Sequence, residues 1–157
     1  MKIFIRITLI VIMAITSLSL KAQNFTYKQD AWDKEKVNIF DSNGNNAGYY
    51  KVDAWDKSKI NIYDFSGNLV KVIKNDAWDE KKLNVSDQNG NKQGSLKQDN
   101  WNKERINITD EYGNIIGYRQ TDSWDKNKIN VFNKNNTQIG YYKKNSFSGD
   151  WEYFKLQ

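Results

Sequence analysis

Between residues 30 and 144, apolar and polar residues alternate in short runs, and each run ends in Asp, Asn or Gly. Lys36-Val37-Asn38-Ile39-Phe40 shows the period of two that marks a strand with one buried face. Asp41-Ser42-Asn43-Gly44 follows. Asp at the first position and Gly at the fourth fit a type I turn with a left-handed glycine. Asp64–Gly67, Asp87–Gly90 and Asp110–Gly113 repeat the turn, and Asn133–Asn136 puts Asn, the next best left-handed residue, where Gly stands elsewhere.

The pattern is periodic. Trp32, Trp55, Trp78, Trp101 and Trp124 are each 23 residues apart, which defines units 30–52, 53–75, 76–98, 99–121 and 122–144. Each unit reads as one β-hairpin. Residues 24–29 resemble the last strand of a unit, and 145–157 begin a partial sixth, with Phe147 in the Trp position, so both read as capping strands. The expected fold is all-β: an antiparallel meander of about 12 strands, as an open curled sheet or a solenoid-like array, forming a single domain over 23–157.

A one-residue bulge at the turn Gly predicts a register. Ile39 faces Ala47 and Val37 faces Tyr49; Ile108 faces Ile116 and Ile106 faces Tyr118; Val131 faces Ile139 and Ile129 faces Tyr141. The other face sets Asn38 against Gly48 and Asn107 against Gly117. Lys71 interrupts the Gly column in the second unit, and Gln93 with Ser95 weakens the apolar face of the third. In this register Gly90 needs a positive φ and Gly94 needs only smallness, so valine is expected to cost more at 90 than at 94.

Asn38, Asn61, Asn84, Asn107 and Asn130 lie mid-strand, where Asn is disfavoured. Their amides are expected to bond backbone groups in the Trp turn or to stack as a ladder; a row of ligand contacts is the functional alternative. Asp30 and Asp33 are expected to hold turn N–H groups. Asp30, Asp33 and the Asp41–Asn45 turn could also bring oxygens to a calcium ion, but their spacing does not match calcium loops.

The N-terminus changes the charge balance. Lys2 and Arg6 precede an uncharged run from Ile7 to Leu20, and Ala22 offers a small residue for cleavage, so residues 1–22 read as a signal peptide. The run is too short for a membrane span, and no transmembrane segment is expected in the mature chain. The expected location is exported, periplasmic or extracellular. The remainder carries 21 basic and 19 acidic residues, interleaved, with no stripe for nucleic acid. The chain has no Cys and no His, which removes disulfides, thiolate metal sites and the commonest general base. No cofactor or metal is expected.

Ile62-Tyr63-Asp64-Phe65-Ser66-Gly67-Asn68 resembles the YD-x-x-G-N core of bacterial YD-repeat proteins, over about seven residues of each unit. Trp and Tyr beside a Gly turn are similar to bacterial cell-wall-binding repeats, whose period and motif order differ. Neither resemblance assigns a functional residue.

Catalysis needs a constellation found once, whereas every candidate Asp, Asn and Lys here recurs in each unit, so the expectation is a non-enzyme. The leading reading is a structural or protein-interaction module of the cell envelope, an accessory subunit of a larger complex whose partner is another envelope protein. Its candidate anchors are hairpin-tip residues where the units differ: Phe65, Leu69, Val70, Tyr112 and Ile115. The second reading is a glycan-binding module, with polysaccharide held by Trp32, Trp55, Trp78, Trp101 and Trp124. Exposure of these indoles separates the two, since the sheet reading expects each Trp to cover the apolar face of its own hairpin.

Overall fold

A computed structural model describes residues 24–156, so the expected signal peptide at 1–22 lies outside the described residues. Twelve strands follow in order: β1 (Phe25–Gln29), β2 (Lys36–Phe40), β3 (Asn46–Val52), β4 (Lys59–Asp64), β5 (Leu69–Asn75), β6 (Lys82–Asp87), β7 (Lys92–Gln98), β8 (Arg105–Thr109), β9 (Ile115–Thr121), β10 (Lys128–Asn133), β11 (Gln138–Lys144) and β12 (Trp151–Lys155). Each pairs antiparallel with its neighbours in sequence, as the meander requires.

The sheet is not open. β1 pairs with β12, Phe25 against Tyr153 and Tyr27 against Trp151, and closes a barrel. The two capping strands therefore cap each other. An open meander leaves two rows of unpaired backbone groups, and strand twist brings those edges together once enough strands accumulate. Twelve strands at about 4.8 Å, tilted by about 40°, give a perimeter of roughly 75 Å and a width of roughly 24 Å if the section is round.

The register differs from the expected one by a second bulge. Val37 pairs with Tyr50, Asn38 with Tyr49 and Ile39 with Gly48; Phe40 then pairs with Asn46, so Ala47 is the extra residue. The same shift recurs in all five hairpins. A one-residue slip moves every side chain of a strand to the other face. Tyr49 therefore leaves the core for the outside, Tyr50 enters it, and the column of Ala47, Val70, Gln93, Ile116 and Ile139 belongs to the bulges. Ile116 and Ile139 are exposed there. Gln93 and Ser95 do not weaken the core of the third unit, which is built from Leu83, Val85 and Leu96.

The barrel interior takes Val37, Ile39, Tyr50, Ile60, Ile62, Ile73, Val85, Leu96, Ile129, Val131 and Tyr142, all buried. Gly48 faces inward against β4, where a Cβ would fall on the Tyr63 carbonyl oxygen. Arg119 stands in the same inward column as Tyr50 and Tyr142; it is 3 % exposed, and its guanidinium lies 5.2 Å from the Tyr142 ring centre. Burial pushes the Tyr27 and Tyr50 hydroxyls far above their ordinary range.

The outer wall is polar, with short aromatic stacks: Tyr49 on Tyr63 and Tyr118 on Phe132, each at 4.7 Å. Lys36 and Arg105 lie over the Tyr49 and Tyr118 rings. A barrel that crosses a lipid bilayer is apolar outside over strands of about 9–11 residues. Here the strands are five to seven residues long with lysines outside, the inverse arrangement. Among the described residues no helix is long and apolar enough to cross a membrane.

Candidate functional site

An up-and-down barrel sends all its connections of one kind to one rim. The five Asp-x-Trp linkers, with the β11–β12 connection as a sixth, lie at one end; the five hairpin tips lie at the other.

Each linker is held by its first Asp. Asp30 Oδ1 accepts the backbone N–H groups of Trp32 (3.0 Å) and Asp33 (3.1 Å), while Oδ2 accepts the Asn38 side-chain amide (2.9 Å). The Asp30 N–H donates to the Lys36 carbonyl, which closes the loop. Asp53 with Asn61, Asp76 with Asn84, Asp99 with Asn107 and Asp122 with Asn130 repeat the amide bond at 2.9 Å. This accounts for the mid-strand Asn column. The amides bond the linker carboxylates, neither backbone groups nor one another. Through these donors Asp30 and Asp76 are held far below the usual carboxylate range, led by the Asn38 and Asn84 amides. Asp53, Asp99 and Asp122 are held down to about 2, led by the Asp56 N–H, the Asn102 N–H and the Asn130 amide.

The second linker Asp ties the loop to the second strand of the hairpin that follows it: Asp33 to Lys51 of β3 at 2.6 Å, Asp56 to Lys74 of β5 at 2.9 Å and Asp79 to Lys97 of β7 at 2.8 Å. In the fourth unit the pair changes on both sides, to Asn102 and Gln120. Loss of both charges together marks this contact as structural.

The Trp side chain has no comparable task. Trp32, Trp55, Trp78 and Trp124 are 97 % exposed and Trp101 is 96 %. The expectation that each indole covers its own hairpin is overturned. The Asx turn points the side chain away from the barrel, and the inward columns already cover the apolar face. The sixth connection departs from the repeat yet keeps the aromatic. Asn145 Oδ1 accepts the Phe147 N–H (2.9 Å) and the Ser148 N–H (3.2 Å), and Phe147 is 100 % exposed. An open cleft of about 430 Å³ lies beside it, lined by Asp125, Asn127, Lys143, Phe147, Glu152 and Phe154 among others.

The tip residues lie on the opposite rim. Phe65 and Tyr112 are 77 % and 83 % exposed, and Ile115 is exposed, but Leu69 is half-buried and Val70 packs against the core. Phe65 and Tyr112 belong to the second and fourth tips, and the third tip between them presents Gln88 and Asn89. The five tip anchors thus do not form one patch. The oxygens considered for calcium are also divided, since Asp30 and Asp33 lie on the linker rim and Asp41–Asn45 on the tip rim. No cluster of acidic side chains suited to a metal occurs among the described residues.

Sequence reasoning missed Arg119 and Tyr50 as interior groups because their inward placement depends on the second bulge. A chain of this sequence matches no protein-family model and no curated protein. It is similar in fold to the X-ray structure of a protein from Arabidopsis thaliana, with TM-score 0.62 and 13 % identity, covering 85 % of this chain and 79 % of that one. At that identity the likeness shows the fold alone.

Proposed function

We propose that the protein is an exported, non-enzymatic carbohydrate-binding module of the cell envelope, and that its linker rim is the binding face. One observation carries this reading. The Trp recurs in all five units while the residue before it drifts through Ala, Asn and Ser, yet it is almost wholly exposed to solvent. The fold explains the Asp, Asn and Lys of the linker by their bonds and leaves the indole without a structural role. Exposing a large aromatic six times is a cost that binding would recover.

The surroundings favour a sugar. Each indole stands alone among polar groups, whereas a protein interface needs a contiguous apolar centre. The flat face of a pyranose covers one indole, and its hydroxyls meet the neighbouring carboxylates, amides and ammonium groups. Residues 30–36, 53–59, 76–82, 99–105, 122–128 and 145–150 carry ten basic and thirteen acidic side chains, so the rim has no excess of positive charge for anionic lipid or nucleic acid.

The test is sedimentation of the purified protein with chitin, cellulose and bacterial peptidoglycan sacculi. Retention on at least one is expected, and Trp78→Ala with Trp101→Ala should weaken it without lowering the thermal midpoint. Absence of retention on all three, or retention indifferent to the Trp changes, refutes the reading.

A further inference from the structure

We infer that the linker aromatics form a planar crown that reads a surface displaying many sugar faces, not a single glycan strand. This rests on the carbohydrate reading above and concerns the form of the ligand.

Closure is what turns a row of aromatics into a ring. An open array would set successive Trp residues in a line at two strand spacings, about 9–10 Å, along which an extended polymer could run. In the closed barrel β12 returns to β1, so the line becomes a ring of six positions. Strand tilt widens the interval along the rim to roughly 12 Å. The 23-residue period has no insertion over 30–144, and the register is the same in every hairpin. Successive units are therefore related by nearly one rotation about the barrel axis. Points related by a rotation about one axis share a plane perpendicular to it. The Trp turns are also alike: the Trp N–H to Asp Oδ1 distance is 2.9–3.0 Å in all five. The indoles consequently project to the same height, and Phe147 stands in the sixth place.

A straight chain meets two indoles at most, neighbours on the rim or a pair across it, because a line crosses a ring at no more than two places. A flat face meets all five indoles. One indole gives weak affinity, and linked weak contacts multiply: avidity exceeds the single contact by about 10²–10⁴ when geometry lets the sites engage together. The ring is rigid because each of the five Trp linkers is clamped by its Asp, so little ordering remains to be done on contact.

The experiment compares ligand forms and Trp positions. On the powder that retains the protein, the apparent affinity should exceed that for a soluble hexasaccharide of the same sugar on the order of 100-fold or more. Trp→Ala changes at 32, 55, 78, 101 and 124, made singly, should weaken retention to similar extents, and loss should grow with the number removed, wherever they lie. A soluble hexasaccharide binding as tightly as the powder, with the loss confined to one adjacent pair such as Trp78 and Trp101, overturns the crown and leaves the carbohydrate reading standing. Trp-dependent retention on phosphatidylcholine vesicles but on none of the powders overturns both and assigns the rim to a membrane surface. Thermal midpoints of every variant, expected to match the parent, separate lost binding from lost fold.

Discussion

Two glycines four residues apart in the third hairpin carry opposite structural burdens, and valine at each measures them. Gly90, at the tip, has φ +84°, and a Cβ built on it meets nothing within 4 Å. Its valine variant suffers backbone strain alone, about 1–3 kcal/mol. Asn136 holds the equivalent tip at φ 62°, which shows that a side chain can stand there. Gly94 has φ +152° and faces inward, and its Cβ would fall on the Thr109 carbonyl oxygen of β8. The same order of strain applies, and an overpacked interior adds about 1–3 kcal/mol. Displacing β8 also weakens ladder bonds at about 1 kcal/mol each. The sum is about 3–7 kcal/mol. With a urea m-value of about 1.5 kcal/mol/M for a domain of this size, Gly90→Val should lower the midpoint by about 1–2 M and Gly94→Val by about 2–5 M. If Gly94→Val does not fold, Gly94→Ala supplies the same comparison through one methyl group. This order reverses the one the sequence register implies, because that register lacked the second bulge. Lys71 shows the condition for escape. It fills the same column in β5, in the same register, without a positive φ. A lone substitution in β7 brings no such change of φ. A midpoint for Gly90→Val at or below that of Gly94→Val would refute the inward placement of Gly94.

Other outcomes follow from the linkers and tips. Iodide should quench most of the tryptophan emission, since five of six indoles are open to solvent and only Trp151 packs on the core; weak quenching would place the Trp residues inside. Asn61→Ala removes the amide that bonds Asp53 and should lower the thermal midpoint by roughly 3–5 °C, whereas Trp55→Ala in the same linker should leave it unchanged. The first aspartate of each linker, Asp30, Asp53, Asp76, Asp99 and Asp122, is held below its ordinary range, to about 2 in Asp53, Asp99 and Asp122, so this stabilisation is fully present above pH 4 and is lost as pH falls towards 2. A melting series should be flat on this account from pH 7 to about 5 and decline between 4 and 2; a decline centred near pH 6 would contradict it. Phe65→Ser with Tyr112→Ser, on the opposite rim, should alter neither stability nor retention on polysaccharide; loss of capture of an envelope protein with unchanged polysaccharide retention would show a separate role for the tips.

The hairpins, the strand count and the left-handed turn positions, including Asn136, were legible because they are local. Asp41 and Gly44 specify their turn through bonds spanning four residues: the Asn43 and Asn45 N–H groups to Asp41 Oδ1, and the Gly44 N–H to the Asp41 carbonyl. Three things were not legible. The bulge at Ala47 has no residue signature, since Ala, Val, Gln and Ile occupy it in turn. Tyr49 and Tyr50 both fit a strand, and only the bulge decides which is buried. Closure depends on the sum of twist over twelve strands and on β1 meeting β12, a contact between residues more than 120 apart. The Trp was singled out by its spacing, but its exposure was misjudged because a large aromatic near an apolar face is ordinarily its cover.

That misjudgement has a physical lesson about repeats. In a single-copy protein an exposed Trp is one surface residue among many and needs no explanation. In a repeat, each unit accumulates changes separately, so a position that stays fixed across units is held by a constraint common to all. For Asp30 and its equivalents the constraint is visible in three hydrogen bonds, and for Asn38 and its equivalents in one. Where a structural constraint relaxes, the chain shows it, as when Asn102 and Gln120 replace a charged pair together. The Trp column shows no such drift and no internal bond. The sixth connection loses the Asp, gains a glycine at φ 76° and still presents an aromatic ring entirely to solvent. The proposed carbohydrate reading supplies the missing constraint: contact with a ligand outside the barrel, against the linker rim.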